Sequence, residues 1–458
     1  MREPWLTDAL VAAGIVVVSG IVGVATASSS PVAVLPIAAL AAALLMTDGR
    51  ARTIFVVFGG LLILQRGEGL DMTKFAFFAG AGVSFAGAFL NVRRMHPTPI
   101  YQLARPLLAV SVAFFALGAV SLAIAHTNGI GLVAWLRDAV PYLLFASAPI
   151  FALDAQTSFG RKGLVALLVI AGTMAALLFG LGWLERRHVS NLGLGSLGLA
   201  SVIMPAALFS LAMSAALQAD VRRPRWLILA GVILALLVMT GTRTTFVLLV
   251  APLAIALGAR PKLVTRSMRL AVLGPVTLTA TLLFGVAFIG ISGADTEMLQ
   301  KRIEILKETG DTSGDASYNE RREQTEIAWD RFESAPIVGA GPGTTFEWKT
   351  QNGIPVSSSL LDTPLVFPAK FGLLGLAVCA FVLAKYWSFL RRLRRLEDVG
   401  IGQLALTGYL AVVLAITPLV LPFHDKGFSF GLLLVLALAL QEARAKLRTP
   451  LPRPDPRT

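Results

Sequence analysis

The sequence has little charge, a single cysteine and no internal repeat. Charged residues make up 15% of its 458 positions, whereas a soluble domain carries about 25%. The single cysteine, Cys379, lies within an apolar block and excludes a disulfide framework inside the chain. Without repeated halves, a transporter built from inverted repeats has no support in the sequence.

Apolar residues predominate in the sequence. They make up 55% of the chain, the mean hydropathy is +0.73, and they come in blocks about as long as the roughly 20 residues that cross a membrane. The pattern predicts an all-α polytopic membrane protein with 12–14 transmembrane helices. The first block could instead be a signal peptide, although Glu3 and Asp8 weaken its positive n-region. The predicted spans are 8–26, 31–47, 52–65, 73–92, 105–126, 131–154, 163–184, 194–218, 226–240, 243–259, 269–292, 365–388, 402–422 and 427–442.

The net charge of +13 belongs to short loops between the apolar blocks. This placement argues against nucleic acid as a partner, because basic loops set the orientation of a membrane protein. Alternate loops are basic, which predicts that the N- and C-termini are both cytoplasmic. The basic positions include Arg50, Arg52, Arg93, Arg94, Arg105, Arg161, Lys162, Arg222, Arg223, Arg225, Arg260, Lys262, Arg266, Arg269, Arg391, Arg392, Arg394, Arg395 and the tail from Arg444 to Arg457.

This topology divides the chain into four parts: transmembrane helices over 1–291, a large extracytoplasmic loop over 292–364, C-terminal transmembrane helices over 365–442, and a cytoplasmic tail over 443–458 that we expect to be disordered. Within the loop, residues 297–308 are predicted to form an amphipathic helix. Ser317 and Glu320 have the spacing of a capping box for a second helix that ends near Ser334.

A glycine-rich segment follows at residues 336–344, where Gly339, Gly341 and Gly343 alternate with other residues. Glycine permits a tight turn and a close approach of the backbone. Turns of this kind are commoner than phosphate-binding loops, so the segment alone is weak evidence for a binding site.

Arginines occur at three places on the predicted outer face. Arg243 lies between two short apolar spans, where an Arg at membrane depth indicates function, although it could also lie in an exposed hairpin. Arg186 and Arg187 precede His188 and could simply be a solvated helix end. Arg321 and Arg322 open the capped helix, although a helix N-terminus favours acidic residues. Because arginine binds phosphate oxygens bidentately, the three places together predict a lipid-linked phosphate or pyrophosphate.

The order of these features resembles the O-antigen ligase and Wzy-type polymerase family over roughly residues 185–376. Arg186 or Arg187 precedes Leu192-Gly-Leu-Gly-Ser-Leu-Gly, and Gly241-Thr-Arg-Thr-Thr matches the family's second Arg step. The most specific match is Arg322, Trp329 and Pro336-Ile-Val-Gly-Ala-Gly-Pro-Gly. The family often has a His-Asn-x-x-Leu motif before Gly-Leu-x-Gly. Here Gly372-Leu-Leu-Gly is present, but the preceding Leu361-Asp-Thr-Pro-Leu lacks the histidine.

The resemblance implies a GT-C-type glycosyltransferase of surface polysaccharide, such as the O-antigen of lipopolysaccharide. It would use an undecaprenyl-pyrophosphate-linked glycan as donor and a lipid or glycan hydroxyl as acceptor, in contact with membrane lipids, with inversion at the sugar. No metal or other cofactor is implied. In that scheme the arginines bind the pyrophosphate, and Arg243 also stabilises charge in the reaction. Asp362 is the nearest titratable group to the missing histidine, although it could equally be a cap before Pro364.

His188 and His424 are alternative proton acceptors, and Gly339, Gly341 and Gly343 are further candidates for the site. The missing histidine favours a polymerase over a ligase. The alternative class is a transporter or flippase of lipid-linked glycans, which would also need outer arginines but usually has short loops. A scaffold protein would explain neither Arg243 nor the Arg pairs.

Overall fold

A computed structural model describes most of the chain as helix. The residues it describes are 31–64, 72–188, 203–218, 223–239, 251, 254–255, 316–349, 355–358, 361, 363–396, 400–417 and 426–448. Among these, six helices are long and apolar enough to cross a membrane. The protein is therefore mostly helical and polytopic. The predicted spans 8–26 and 269–292 lie outside the described residues, as does nearly all of 243–259.

The N-terminal part of the described chain is a series of apolar helices. Helix α2 continues through a π-helical turn (Phe55–Gly59) into α3. The bounds are α1 (Pro31–Thr47), α2 (Gly49–Ile54), α3 (Gly60–Ile63), α4 (Met72–Arg94), α5 (Pro99–Thr127), α6 (Leu132–Ser158), α7 (Arg161–His188), α8 (Ile203–Gln218) and α9 (Arg223–Met239).

The C-terminal part begins with a polar helix, α10 (Ala316–Ser334), and ends with three apolar helices. These are α11 (Val366–Arg395), α12 (Ile401–Ile416) and α13 (Lys426–Arg448). Between α10 and α11, strands β1 (Phe346–Lys349) and β2 (Pro355–Ser358) pair antiparallel, with Phe346 opposite Ser358. This hairpin was not predicted from the sequence.

Helices α6 and α13 form the centre of the bundle. In each of these helices, 78% of the most apolar stretch of 18 residues is buried, whereas the value for α4 is 28%. Helix α13 is apolar all round from Leu432 to Leu440, which suits an interior position. It packs against α6 and α8, while α5 packs against both α6 and α11.

The basic helix termini lie together at one end of the bundle, here called the arginine end. Arg50 donates to the carbonyl of Ser158 at 2.9 Å, Arg161 pairs with Glu442 at 3.0 Å, and Arg392 donates to the carbonyl of Gln102 at 3.0 Å. These contacts join the ends of α6, α11 and α13 to the beginnings of α2, α5 and α7.

Arg52, which was expected in a basic loop, lies within a helix. Its side chain is 3% exposed and lies inside α2, where Nε and Nη2 donate to the two oxygens of Asp154 at 2.8 Å each. Asn91 donates to the same carboxylate at 2.6 Å. The expected loop position of Arg52 is thus replaced by a place within α2, because the helix begins at Gly49 and carries this side chain inward.

Candidate functional site

The glycine-rich segment at residues 336–344, here called the glycine turn, has a backbone that only glycine adopts readily. Gly339, Gly341 and Gly343 have φ values of 73°, 91° and 89°. Side chains with a Cβ are disfavoured in this left-handed region. The predicted tight turn is therefore present, and these positive φ angles account for the alternating glycines.

The glycine turn lies against the beginning of α11. The amide of Ala340 donates to the carbonyl of Ala369 at 2.9 Å, and that of Gly341 donates to the carbonyl of Lys370 at 3.0 Å. A Cβ on Gly339 would overlap the backbone of Lys370. The predicted close approach of the backbone is thus explained by a neighbouring helix.

A break in α11 receives the first residues of the turn. Gly372 has φ 62° and interrupts the helix. Beyond the break, the amides of Leu373 and Leu374 donate to the carbonyls of Pro336 at 2.8 Å and Ile337 at 3.0 Å. The first amides of a helix lack partners within it, and here the glycine turn supplies the acceptors.

A buried ion pair lies beneath the glycine turn. Lys370 Nζ is 2.8 Å and 2.6 Å from the two oxygens of Asp138 on α6, and both side chains are fully buried. Asp138 Oδ2 also accepts from the amide of Gly343 at 2.7 Å, while Asn128 donates to the carbonyl of Ala340 at 2.9 Å. The turn is thereby fixed to α6 and α11 at the end of the bundle opposite the arginine end, here called the turn end.

Neither Asp138 nor Lys370 was predicted from the sequence as a site residue. The signal was available, because each is a charged residue inside a predicted apolar span, 131–154 or 365–388. Such residues are rare at membrane depth and usually pair with one another. The sequence alone does not indicate that they pair, because 232 residues separate them and only the folded structure brings them together.

Helix α10 packs against the hairpin and against the residues that lead into α11. Glu320 accepts from the indole of Trp348 at 3.0 Å, and Thr325 donates to Thr363 at 3.2 Å. Ala328 is fully buried. The helix ends at Ser334 as predicted, but it begins at Ala316. Ser317 therefore lies inside it, and the predicted capping box was wrong.

Arg321 and Arg322 lie in the second turn of α10, because the helix begins earlier than predicted. Both are exposed. Arg322 pairs with Glu326 at 3.0 Å, an exposed contact along the helix surface. The expectation that they open the helix was wrong. Their exposure leaves both side chains accessible to a ligand, since an exposed pair of this kind is weak.

An exposed apolar edge borders the glycine turn. The exposed fractions are 69% for Ile337, 37% for Val338 and 54% for Leu373. The backbone bonds described above place these residues side by side. Trp329 on α10 is 47% exposed as well. The site thus carries apolar side chains next to its glycines.

The structure describes some of the other predicted site residues by their backbone alone and does not describe the rest. Arg186, Arg187 and His188 end α7, whose backbone alone is described there. Arg243, Asp362 and His424 lie outside the described residues. Within the described ranges, no group of three or more His, Cys, Asp or Glu side chains could hold a metal ion.

Comparison with known families gives one match. Residues 226–364 match the family model described as O-Antigen ligase, which confirms the predicted resemblance and supports a membrane enzyme of the ligase or polymerase type. The match covers less than a third of the chain. It includes Arg243, α10, the glycine turn and Asp362, whereas Arg186 and Arg187 precede it. No curated protein matches the chain.

Proposed function

Because residues 226–364 match the family model described as O-Antigen ligase, we propose that this chain is a membrane glycosyltransferase of the bacterial inner membrane. It transfers a glycan from an undecaprenyl-pyrophosphate donor to an acceptor hydroxyl at the outer face. One observation carries this proposal: the last part of the matched segment is fixed to the turn end by the buried Asp138–Lys370 pair. A segment anchored in this way is suited to holding a reacting group in place.

The reaction needs positive charge where the donor leaves. As the anomeric carbon–oxygen bond breaks, negative charge grows on the pyrophosphate, and groups already in place to stabilise it supply much of the catalysis. We assign this role to Arg243, together with Arg186 and Arg187. Arg321 and Arg322 contact the phosphates or acidic sugars from α10, where their side chains are exposed.

The donor also carries a long lipid that stays in the bilayer. The exposed side chains of Ile337, Val338 and Leu373 give the glycine turn an apolar edge. Polar groups of a lipid-linked substrate could therefore reach the turn while its chain stays among apolar surfaces. This edge is compatible with a lipid-linked substrate.

Asp362 is the proposed group that accepts the proton or orients the acceptor for attack with inversion. Its neighbours Leu361 and Thr363 are buried, and Thr363 contacts α10. An ordinary Asp has a pKa of about 3.9 and is a weak base. The proposed role of Asp362 therefore needs a direct test, which the Asp362→Asn variant provides. We expect a large loss of turnover and a changed pH profile. Unchanged turnover at every pH would exclude Asp362 as the proton acceptor and would leave His188 and His424 as candidates for that role.

We favour a polymerase over a ligase, because the family's histidine is replaced by Leu361-Asp-Thr-Pro-Leu. The deciding experiment incubates the purified protein in vesicles with a labelled undecaprenyl-pyrophosphate glycan, with and without a chelator. A ladder of products supports a polymerase, and a single transfer to a second lipid supports a ligase. Movement of intact donor across the bilayer without chemistry would replace the proposal with a transporter. A strict requirement for divalent metal would contradict the metal-independent mechanism.

A further inference from the structure

A cleft opens at the arginine end, on the opposite side of the bundle from the glycine turn. Its volume is about 180 Å³, several times the roughly 30 Å³ that one water occupies in the liquid. It lies between the α4–α5 connection, the end of α6 and the end of α13.

The lining of this cleft is cationic. It includes Arg444 and Arg448, and the described lining residues include no Asp or Glu. Arg444 donates through Nη1 to the carbonyl and Oε1 of Gln156, at 3.3 Å and 3.4 Å, which holds its guanidinium against the wall. Two positive charges without a carboxylate in the lining favour an anionic ligand.

The nearby carboxylate of Asp154 does not neutralise these arginines. Both of its oxygens accept from Arg52, and Oδ1 also accepts from Asn91. The side chain of Asp154 is fully buried, so it faces these partners and does not line the cleft. The charge of the cleft is thus separate from the internal ion pair behind it.

The remaining walls of the cleft are apolar. Met95, Pro99, Ile100 and Leu447 line it together with the two arginines. Leu447 is 38% exposed. A free inorganic anion would gain nothing from such walls, whereas a phosphodiester attached to glycerol and acyl chains would bury apolar surface against them.

The position of the cleft matches the depth of lipid headgroups. It lies where α4, α6 and α13 end and α5 begins, and all four contain apolar spans long enough to cross a membrane. Basic pockets between helices at this level bind anionic headgroups. We propose that the cleft binds an anionic glycerophospholipid, with its phosphodiester on Arg444 and Arg448. This site is independent of the proposed glycan transfer and can be tested without it.

The test measures lipid binding to the delipidated full-length protein in neutral detergent. Phosphatidylglycerol and phosphatidylcholine are titrated separately, and bound lipid is counted by native mass spectrometry. The variant is Arg448→Ala, an exposed position whose removal should leave the fold intact. The control is Arg395→Ala, which removes an exposed arginine from α11 at the same end. We expect preferential binding of phosphatidylglycerol, weakened about fivefold by Arg448→Ala and unchanged by Arg395→Ala.

Three results would overturn the proposal. Equal binding of phosphatidylcholine would show that the phosphodiester charge is not recognised. Equal weakening by the two variants would indicate a general surface charge. Displacement of bound lipid by inorganic phosphate at comparable concentration would show a site for free anions in place of a lipid site.

Discussion

The two ends of the bundle each contain a buried ion pair, and the pairs hold different structures. At the arginine end, Arg52 and Asp154 join α2 to α6, and Arg52 also donates to the carbonyls of Leu45 and Met46. At the turn end, Lys370 and Asp138 join α11 to α6, and Asp138 also accepts from the amide of Gly343. The first pair connects helices, whereas the second also fixes a loop segment.

The residue types fit these two tasks. The planar fork of an arginine reaches both carboxylate oxygens and still has donors for backbone carbonyls. A lysine is a compact charge, and here it leaves Asp138 Oδ2 accessible to the turn amide as well. The comparison indicates that the Arg52–Asp154 pair is a structural junction between helices, while the Lys370–Asp138 pair also holds part of the candidate site.

The largest expected effect is on glycan transfer, and it is tested by comparing substitutions of two arginines in the matched segment. Arg243→Ala should reduce glycan transfer at least about 100-fold, because removing one donor to a developing charge costs this much in other enzymes. Arg266→Ala, in a loop predicted on the opposite face, should leave transfer unchanged at equal expression. The measurement is product formed per unit of purified protein. Full activity of Arg243→Ala would remove it from the pyrophosphate site.

The second prediction breaks each ion pair in turn. Lys370→Met and Arg52→Met should each lower the free energy of unfolding by about 3–5 kcal/mol, since each leaves a buried carboxylate uncompensated. Thermal unfolding in detergent measures this loss. Only Lys370→Met should also increase proteolysis within residues 336–344, because only its partner binds the turn. Equal cleavage in the two variants would contradict the contrast between the ends.

The third prediction concerns the turn glycines. Gly343→Ala should destabilise the protein by about 1–3 kcal/mol, because its φ is 89° and a Cβ would clash with Ile130 and with the backbone at Ala134. Gly82→Ala in α4 meets open space and should be neutral or slightly stabilising. Thermal unfolding compares the two. Similar stability in both variants would mean that the turn conformation is not required.

The smallest stability effect is expected at Arg322. Arg322→Ala breaks an exposed pair with Glu326 and should change the free energy of unfolding by less than about 0.5 kcal/mol. Its effect should instead be on the apparent affinity for the donor, measured as KM. The control is Arg331→Ala, an exposed arginine in the last turn of α10. Identical KM values in both variants would remove Arg322 from donor binding.

The sequence predicted the helical class, the six described helices long enough to cross a membrane and the glycine turn, because apolar length and alternating glycines are local signals. It did not predict the contacts of Asp138, Lys370 and Arg52, because their partners are distant in sequence. The start of α10 was misplaced by a capping pattern, since Glu320 bonds Trp348 of the unpredicted hairpin. Local patterns identified the elements, and tertiary contacts determined what their charged residues do.

The most direct measurement of the central claim follows the lipid carrier during the reaction. Purified protein is incubated with undecaprenyl-pyrophosphate glycan, and released undecaprenyl pyrophosphate is compared with newly formed glycosidic bonds. Glycan transfer predicts equal amounts of the two, with neither formed by Arg243→Ala. A carrier that stays fully glycosylated while the wild-type protein is folded would contradict it.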